Sequence, residues 1–254
     1  MKKRYGQHFL SDRNILQRIV RLASISPNDT VLEIGPGAGS LTRELAAAAR
    51  RVIAIEIDRD LISRLRASMP ANVDVIEADA LEADFEKLAG ASPFHLVGNL
   101  PYNIATPLLK RFIAVRERIL DVTIMLQKEV AERIRAKPGT AAWGPLSILI
   151  QYYATPIRGF TIPPGAFTPR PRVDSAVIRL EWKPGVPDAR DFTDFVQRAF
   201  SSRRKKLINN LVTLLPHRTR GDVAHALQSA GLSLDARPET LTVEQFRRVY
   251  NQLR

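Results

Sequence analysis

Thr30-Val31-Leu32-Glu33-Ile34-Gly35-Pro36-Gly37-Ala38-Gly39 passes from a short aliphatic run directly into a glycine-rich turn. Leu41 and Leu45 follow at helical spacing, so the stretch reads as strand, turn and helix. Glycines in such a turn permit positive φ and let a ligand press against bare backbone. A dinucleotide fold would open the same way, but it calls for G-x-G-x-x-G and a phosphate cradle at the helix N-terminus. Here the spacing is G-x-G-x-G.

Working outward, four more runs repeat the pattern at Arg51–Glu56, Val73–Glu77, Phe94–Gly98 and Asp121–Leu126, with helical stretches between them. Strands alternating with helices argue for an α/β fold on a mostly parallel sheet. Upstream, Asp12 is placed to cap a helix carrying Ile15, Leu16, Ile19 and Val20. Thr106 before Pro107 reads as an N-cap followed by proline at the first helical position. Leu146–Tyr153 is too short for periodicity to separate helix from strand. Thr155–Ile162 and Val173–Trp182 can form an antiparallel edge across the loop Pro163–Gly165.

Lys183–Asp188, with two prolines and a glycine, reads as a linker, and the remainder is helical. Phe192, Phe195, Val196 and Ala199 lie on one helical face, and Thr242-x-x-Gln245 is a capping-box pattern. The expected division is therefore an α/β domain over 1–183 and a small helical domain over 184–254.

Composition narrows the function classes. Lys+Arg 38 against Asp+Glu 26 gives a net charge of +12, which favours a polyanionic partner such as nucleic acid. The absence of cysteine removes disulfides and thiolate metal sites. No apolar run approaches the roughly 20 residues of a membrane span. Nor does an apolar segment follow the basic start at Lys2, Lys3 and Arg4, so a cytoplasmic protein without a signal peptide is expected. No metal site is expected either, since His217 and His225 lack accompanying ligands.

Three carboxylates are placed at strand ends: Glu33, Glu56 and Asp79. In an open parallel sheet those ends face one crevice. Glu56 can accept from ribose hydroxyls there, and Asp79 can meet an adenine amine. An acidic lining suits S-adenosylmethionine, a sulfonium cation without phosphate, better than NAD. At the end of the fourth strand stands Asn99-Leu100-Pro101-Tyr102. The N6 amine of adenine is a poor nucleophile because its lone pair is delocalised into the ring. The Asn99 side-chain carbonyl and a backbone carbonyl, that of Leu100, can accept its two protons and favour a pyramidal nitrogen. Pro101 fixes the turn and donates no N–H, and Tyr102 offers a face on which an unstacked base can lie.

These motifs resemble those of the ribosomal RNA adenine N6,N6-dimethyltransferases, most nearly the small-subunit, kasugamycin-sensitivity branch. The resemblance spans nearly the whole chain. It includes Gly6-Gln7-His8-Phe9-Leu10, Glu33–Gly39, Glu56-Ile57-Asp58, Asn99–Tyr102, Gln127–Arg133, Phe167-Thr168-Pro169 with Val173-Asp174-Ser175, and Arg203-Arg204-Lys205-Lys206-Leu207. It implies a Rossmann-like class I methyltransferase sheet with a small helical C-terminal domain. It also implies cofactor contacts from His8, Leu10, Gly35, Glu56, Asp79 and Asn99. Tyr102 and Phe167 would bracket the target base. The implied reaction is dimethylation of two adjacent adenosines near the 3′ end of small-subunit rRNA, within an assembling 30S-type subunit. Arg203, Arg204, Lys205 and Lys206 would contact RNA, with Lys206 standing where the family more often has threonine. No exposed apolar stripe demands a dimer, so a monomer is expected. Three other readings are a nonenzymatic nucleic-acid-binding factor on the same fold, a dehydrogenase, and a DNA adenine methylase. The first would lack Asn99 or the carboxylates, the second needs G-x-G-x-x-G, and the third would leave the C-terminal helices unexplained.

Overall fold

A computed structural model describes residues 8–102, 104–188, 190–202 and 205–253. The chain forms two compact units. One runs to Ala131 and resumes over Thr155–Trp182; the other comprises Glu132–Ala154 and the chain from Lys183 onward.

The first unit is built on a seven-stranded sheet. Its strands are β2 (Thr30–Ile34), β3 (Arg51–Glu56), β4 (Val73–Glu77), β5 (Phe94–Asn99), β6 (Ile119–Gln127), β7 (Ala154–Ile162) and β9 (Ser175–Trp182), in the order β4-β3-β2-β5-β6-β9-β7. Strands β4 to β6 are parallel in that row, and β9 runs antiparallel to β6. Two short strands, β1 (Phe9–Leu10) and β8 (Phe167–Thr168), pair antiparallel apart from the sheet.

All five residues of β2 are buried. That is the pattern of a strand covered on both faces, where alternation disappears. On one face, Leu16 and Ile19 of α1 (Arg13–Ala23) and Leu45 of α2 (Ser40–Ala48) share a core cluster with Val31, Val52, Val97, Met125 and Val177. Asp12 caps α1 by accepting from the backbone N–H groups of Asn14 and Ile15, as its sequence position predicts. The expected Thr106 cap is not formed. Helix α5 (Ala105–Ala114) starts earlier, with Ile104 as N-cap. Pro107 then lies within the first turn, where a missing N–H breaks no helical bond.

The second unit departs from the division at 183/184, because residues 132–154 belong with the C-terminal helices. Leu146–Tyr153 falls in a helix, α7 (Pro145–Tyr153), with proline in its first turn. Its Tyr152 ring lies 4.7 Å from Phe192, on α8 (Arg190–Ala199). Just ahead of α7, the buried Trp143 donates its indole N–H to the Leu241 carbonyl at 3.0 Å. Before α11 (Val243–Leu253), Thr242 and Gln245 exchange reciprocal bonds, Gln245 N–H to Thr242 Oγ1 and Thr242 N–H to Gln245 Oε1, completing the capping box.

Candidate active site

The C-terminal ends of β2, β3 and β5 surround a cavity of about 280 Å³. Its walls come from the glycine turn, the segments after β3 and β4, the start of α1 and the N-terminal strand β1. All six residues assigned to the cofactor by sequence and resemblance line it: His8, Leu10, Gly35, Glu56, Asp79 and Asn99.

The glycine turn is shaped by three residues at positive φ, Gly35, Gly37 and Gly39. Gly35, at +69°, donates its N–H to the Ile55 carbonyl at 3.0 Å, which keeps the turn against β3. Gly37, at +58°, donates to Glu56 Oε2 at 3.1 Å, and a Cβ there would fall 2.9 Å from the Phe9 ring.

Glu56 is 4% exposed. Its Oε1 accepts the backbone N–H groups of Ile57 and Asp58, both at 3.0 Å. Burial pushes its carboxyl upward despite those donors. Since Oε1 already holds two bonds and Oε2 one, Oε2 is the oxygen with room for a further donor. Beside it, Glu33 is 1% exposed, and burial, reinforced by the Glu56 charge, pushes its carboxyl up to about 8. Glu33 Oε2 has no hydrogen-bond partner among the described residues. A buried acidic wall with an orphaned oxygen is costly in an empty protein and is compensated by a bound cation or donor. Asp79 Oδ1 accepts the Leu81 N–H at 2.8 Å, which fixes the loop after β4. A sulfonium nucleoside therefore fits these residues: donors for Glu56 and Asp79, and positive charge against Glu33.

At the end of β5, Leu100 N–H donates to the Met125 carbonyl at 3.1 Å, and Ile104 N–H closes the turn on the Pro101 carbonyl at 3.1 Å. Asn99, Leu100, Pro101 and Tyr102 all line the cavity. Asn99 Nδ2 donates to the His8 carbonyl at 3.0 Å, so its Oδ1 is the atom left to accept. The His8 and Tyr102 rings lie 5.8 Å apart, tilted by 31°. Tyr102 is held by its hydroxyl, 2.8 Å from Ser175 Oγ.

Phe167 is placed differently from expectation. It is 4% exposed, belongs to the core cluster with Leu10, and is absent from the cavity wall. Pairing of β1 with β8 sets Leu10 opposite Phe167, which turns the ring into the core. Among the RNA-contact candidates, Arg203 and Arg204 lie outside the described residues. Lys205 is exposed, whereas Lys206 is ion-paired with Asp235. Nearby, Asn210, 4% exposed, donates through Nδ2 to the carbonyls of Ala199 at 2.7 Å and Ser202 at 3.1 Å.

Sequence reasoning assigned no role to Ile57, Leu81 or Ser175. Ile57 is 41% exposed on the cavity rim, an apolar face suited to a purine. Its signal was available, since it directly follows the strand-end carboxylate. Ser175 stood out only as part of a family motif, because its partner Tyr102 is distant in sequence. Among the described residues no group of three or more His, Cys, Asp or Glu side chains is placed to hold a metal ion.

A sheet of this order, with an acidic nucleoside cavity at the ends of its central parallel strands, defines a class I S-adenosylmethionine-dependent methyltransferase. The model of the ribosomal RNA adenine dimethylase family matches residues 1–254, and the chain belongs to that family. It is 43% identical over 251 residues to the ribosomal RNA small subunit methyltransferase A of Alcanivorax borkumensis, covering 96% of this chain and 87% of the relative. It is 44% identical over 257 residues to the protein of the same name from Chromobacterium violaceum, covering 99% and 95%. Among solved structures, a dimethyladenosine transferase from Plasmodium falciparum superposes with a TM-score of 0.85 at 27% identity, covering 95% and 96% of the two chains.

Proposed function

We propose that this protein transfers methyl groups from S-adenosylmethionine to N6 of two adjacent adenosines near the 3′ end of small-subunit rRNA. It acts as a monomer in the cytoplasm on an assembling subunit, and so takes part in ribosome biogenesis. The observation that carries the reading is the Asn99 carboxamide: Nδ2 donates to the His8 carbonyl, and Oδ1, at the cavity wall, accepts no hydrogen bond among the described residues.

When bound, the cofactor supplies an electrophilic methyl group. The chain supplies placement and polarity. Asn99 Oδ1 and the Leu100 carbonyl accept the two amine protons, which localises the nitrogen lone pair toward the donor. The Pro101 carbonyl is engaged by Ile104 and does not compete. Tyr102, steadied by Ser175, provides the stacking face for the unstacked base. Methylation makes the nitrogen acidic, so the departing proton passes to water without a dedicated strong base. Phe167 would join the base only if the β1–β8 pair shifted.

The test is transfer of labelled methyl to small subunits from a strain lacking the modification. Digestion should yield labelled N6,N6-dimethyladenosine. Label confined to another nucleoside, or none, overturns the proposal.

A further inference from the structure

The segment from Pro169 to Ser175 is fastened at both ends to side chains of the cavity wall. At one end, His8 Nδ1–H donates to the Pro169 carbonyl at 2.7 Å; at the other, the Ser175 hydroxyl meets Tyr102. Between them Pro171 is buried, and Asp174 accepts from Lys128 twice, at its carbonyl from the backbone N–H (2.9 Å) and at Oδ2 from Nζ (3.3 Å). The loop is therefore fixed along its length, yet Arg170 and Arg172 are exposed on either side of the buried proline.

Several other arginines of this unit are engaged. Arg13, Arg51 and Arg59 pair with carboxylates, Arg111 reaches the Ala83 carbonyl, and Arg179 holds Asp121. Among the described residues, Arg170 and Arg172 have no hydrogen bond or ion pair. Val173, next in the chain, is 44% exposed. Two unspent guanidinium groups on a rigid backbone, with an apolar neighbour, match the charge and surface of a nucleotide strand.

We propose that Arg170 and Arg172 form a phosphate-binding subsite for the RNA strand flanking the target adenosine, with Val173 against an adjacent ribose or base. The inference rests on the RNA-methylating reading above. It adds where the strand runs as it delivers its base: over the His8 and Tyr102 side of the cavity. Because the loop is tied to both residues, strand contact and base placement share one support.

The experiment compares wild type, R170Q/R172Q and R170K/R172K on small subunits lacking the modification. Subunit binding is measured over a series of KCl concentrations, with initial rates and cofactor affinity in parallel. The double-glutamine variant should raise the KM for subunits about tenfold and leave kcat within about twofold. Its plot of log affinity against log salt should be shallower by about 1.4, two contacts at roughly 0.7 each for a single strand. Affinity for S-adenosylhomocysteine should not move, and the double-lysine variant should recover most of the salt slope. An unchanged slope and KM in a double-glutamine variant of unaltered Tm overturns the subsite, as does a parallel loss of cofactor affinity. Absence of methyl transfer by the wild type instead counts against the underlying reading of function.

Discussion

Asn99 donates its side-chain N–H to the backbone carbonyl of His8, 3.0 Å away and contributed by the N-terminal segment that also lines the cavity. A carbonyl oxygen can only accept, so this contact decides which end of the carboxamide faces the reacting amine. The role of Asn99 at the reacting amine is read by measuring turnover and cofactor affinity side by side. Asn99→Ala is expected to lower kcat by about 10²- to 10³-fold, the loss usual for one preorganised polar group at a reacting centre. Calorimetry should find affinity for S-adenosylhomocysteine within about threefold of wild type. Retained turnover would remove Asn99 from the chemistry.

Glu33 gives a pH prediction. Burial holds its carboxyl up to about 8, so the empty protein carries it mostly protonated at neutral pH. A cation entering the cavity favours the ionised form, so donor binding should release a proton and tighten as pH rises from 6 to 8. Titration calorimetry in two buffers of different ionisation enthalpy measures that proton. Glu33→Gln should abolish it; identical proton counts in both proteins would exclude Glu33 as the source.

A second titrating group lies elsewhere in the sheet. His95 is 6% exposed, with Nε2 3.1 Å from Asp29 and Nδ1 3.1 Å from Asp121, which also binds Arg179 at 2.9 Å. Burial opposes its charge, but the two carboxylates prevail and raise its pKa above 6.5. A raised pKa means stabilisation that is complete below the unfolded value and lost as pH climbs through the folded one. The Tm difference between wild type and His95→Gln should therefore be largest near pH 6 and shrink above neutrality. A gap constant from pH 6 to 9 would contradict the ion cluster.

In the helical unit, Asn210→Ala leaves the carbonyls of Ala199 and Ser202 without their buried donor. A loss of about 1–3 kcal/mol is expected from denaturant unfolding. Replacing Arg203, Arg204 and Lys205 by alanine should leave stability alone but weaken subunit binding and flatten its salt dependence. An unchanged slope would take that run out of the interface.

Much of this was legible in local sequence. Strand β2 and the turn after it declare themselves because a buried parallel strand is mostly aliphatic, here interrupted by Glu33, and a backbone-lined pocket favours glycine. Glu33, Glu56, Asp79 and Asn99 follow from strand ends sharing one crevice. What escaped depends on pairings between distant segments. Phe167 reads as an available aromatic until its register with Leu10 turns it inward. Pro145–Tyr153 is apolar around nearly its whole circumference, so nothing in it says which unit it packs with. Arg170 and Arg172 resemble any exposed arginines until His8 and Tyr102 fix the ends of their loop.

Because Glu132–Ala154 and the chain beyond Lys183 complete one unit, neither unit is a contiguous stretch of polypeptide. During synthesis Trp143 and Tyr152 leave the ribosome well before Leu241 and Phe192, the groups they pack with, exist. Folding of the helical unit must then await synthesis of the chain through Leu241, and a nascent chain halted near residue 183 would present uncovered aromatic surface to chaperones.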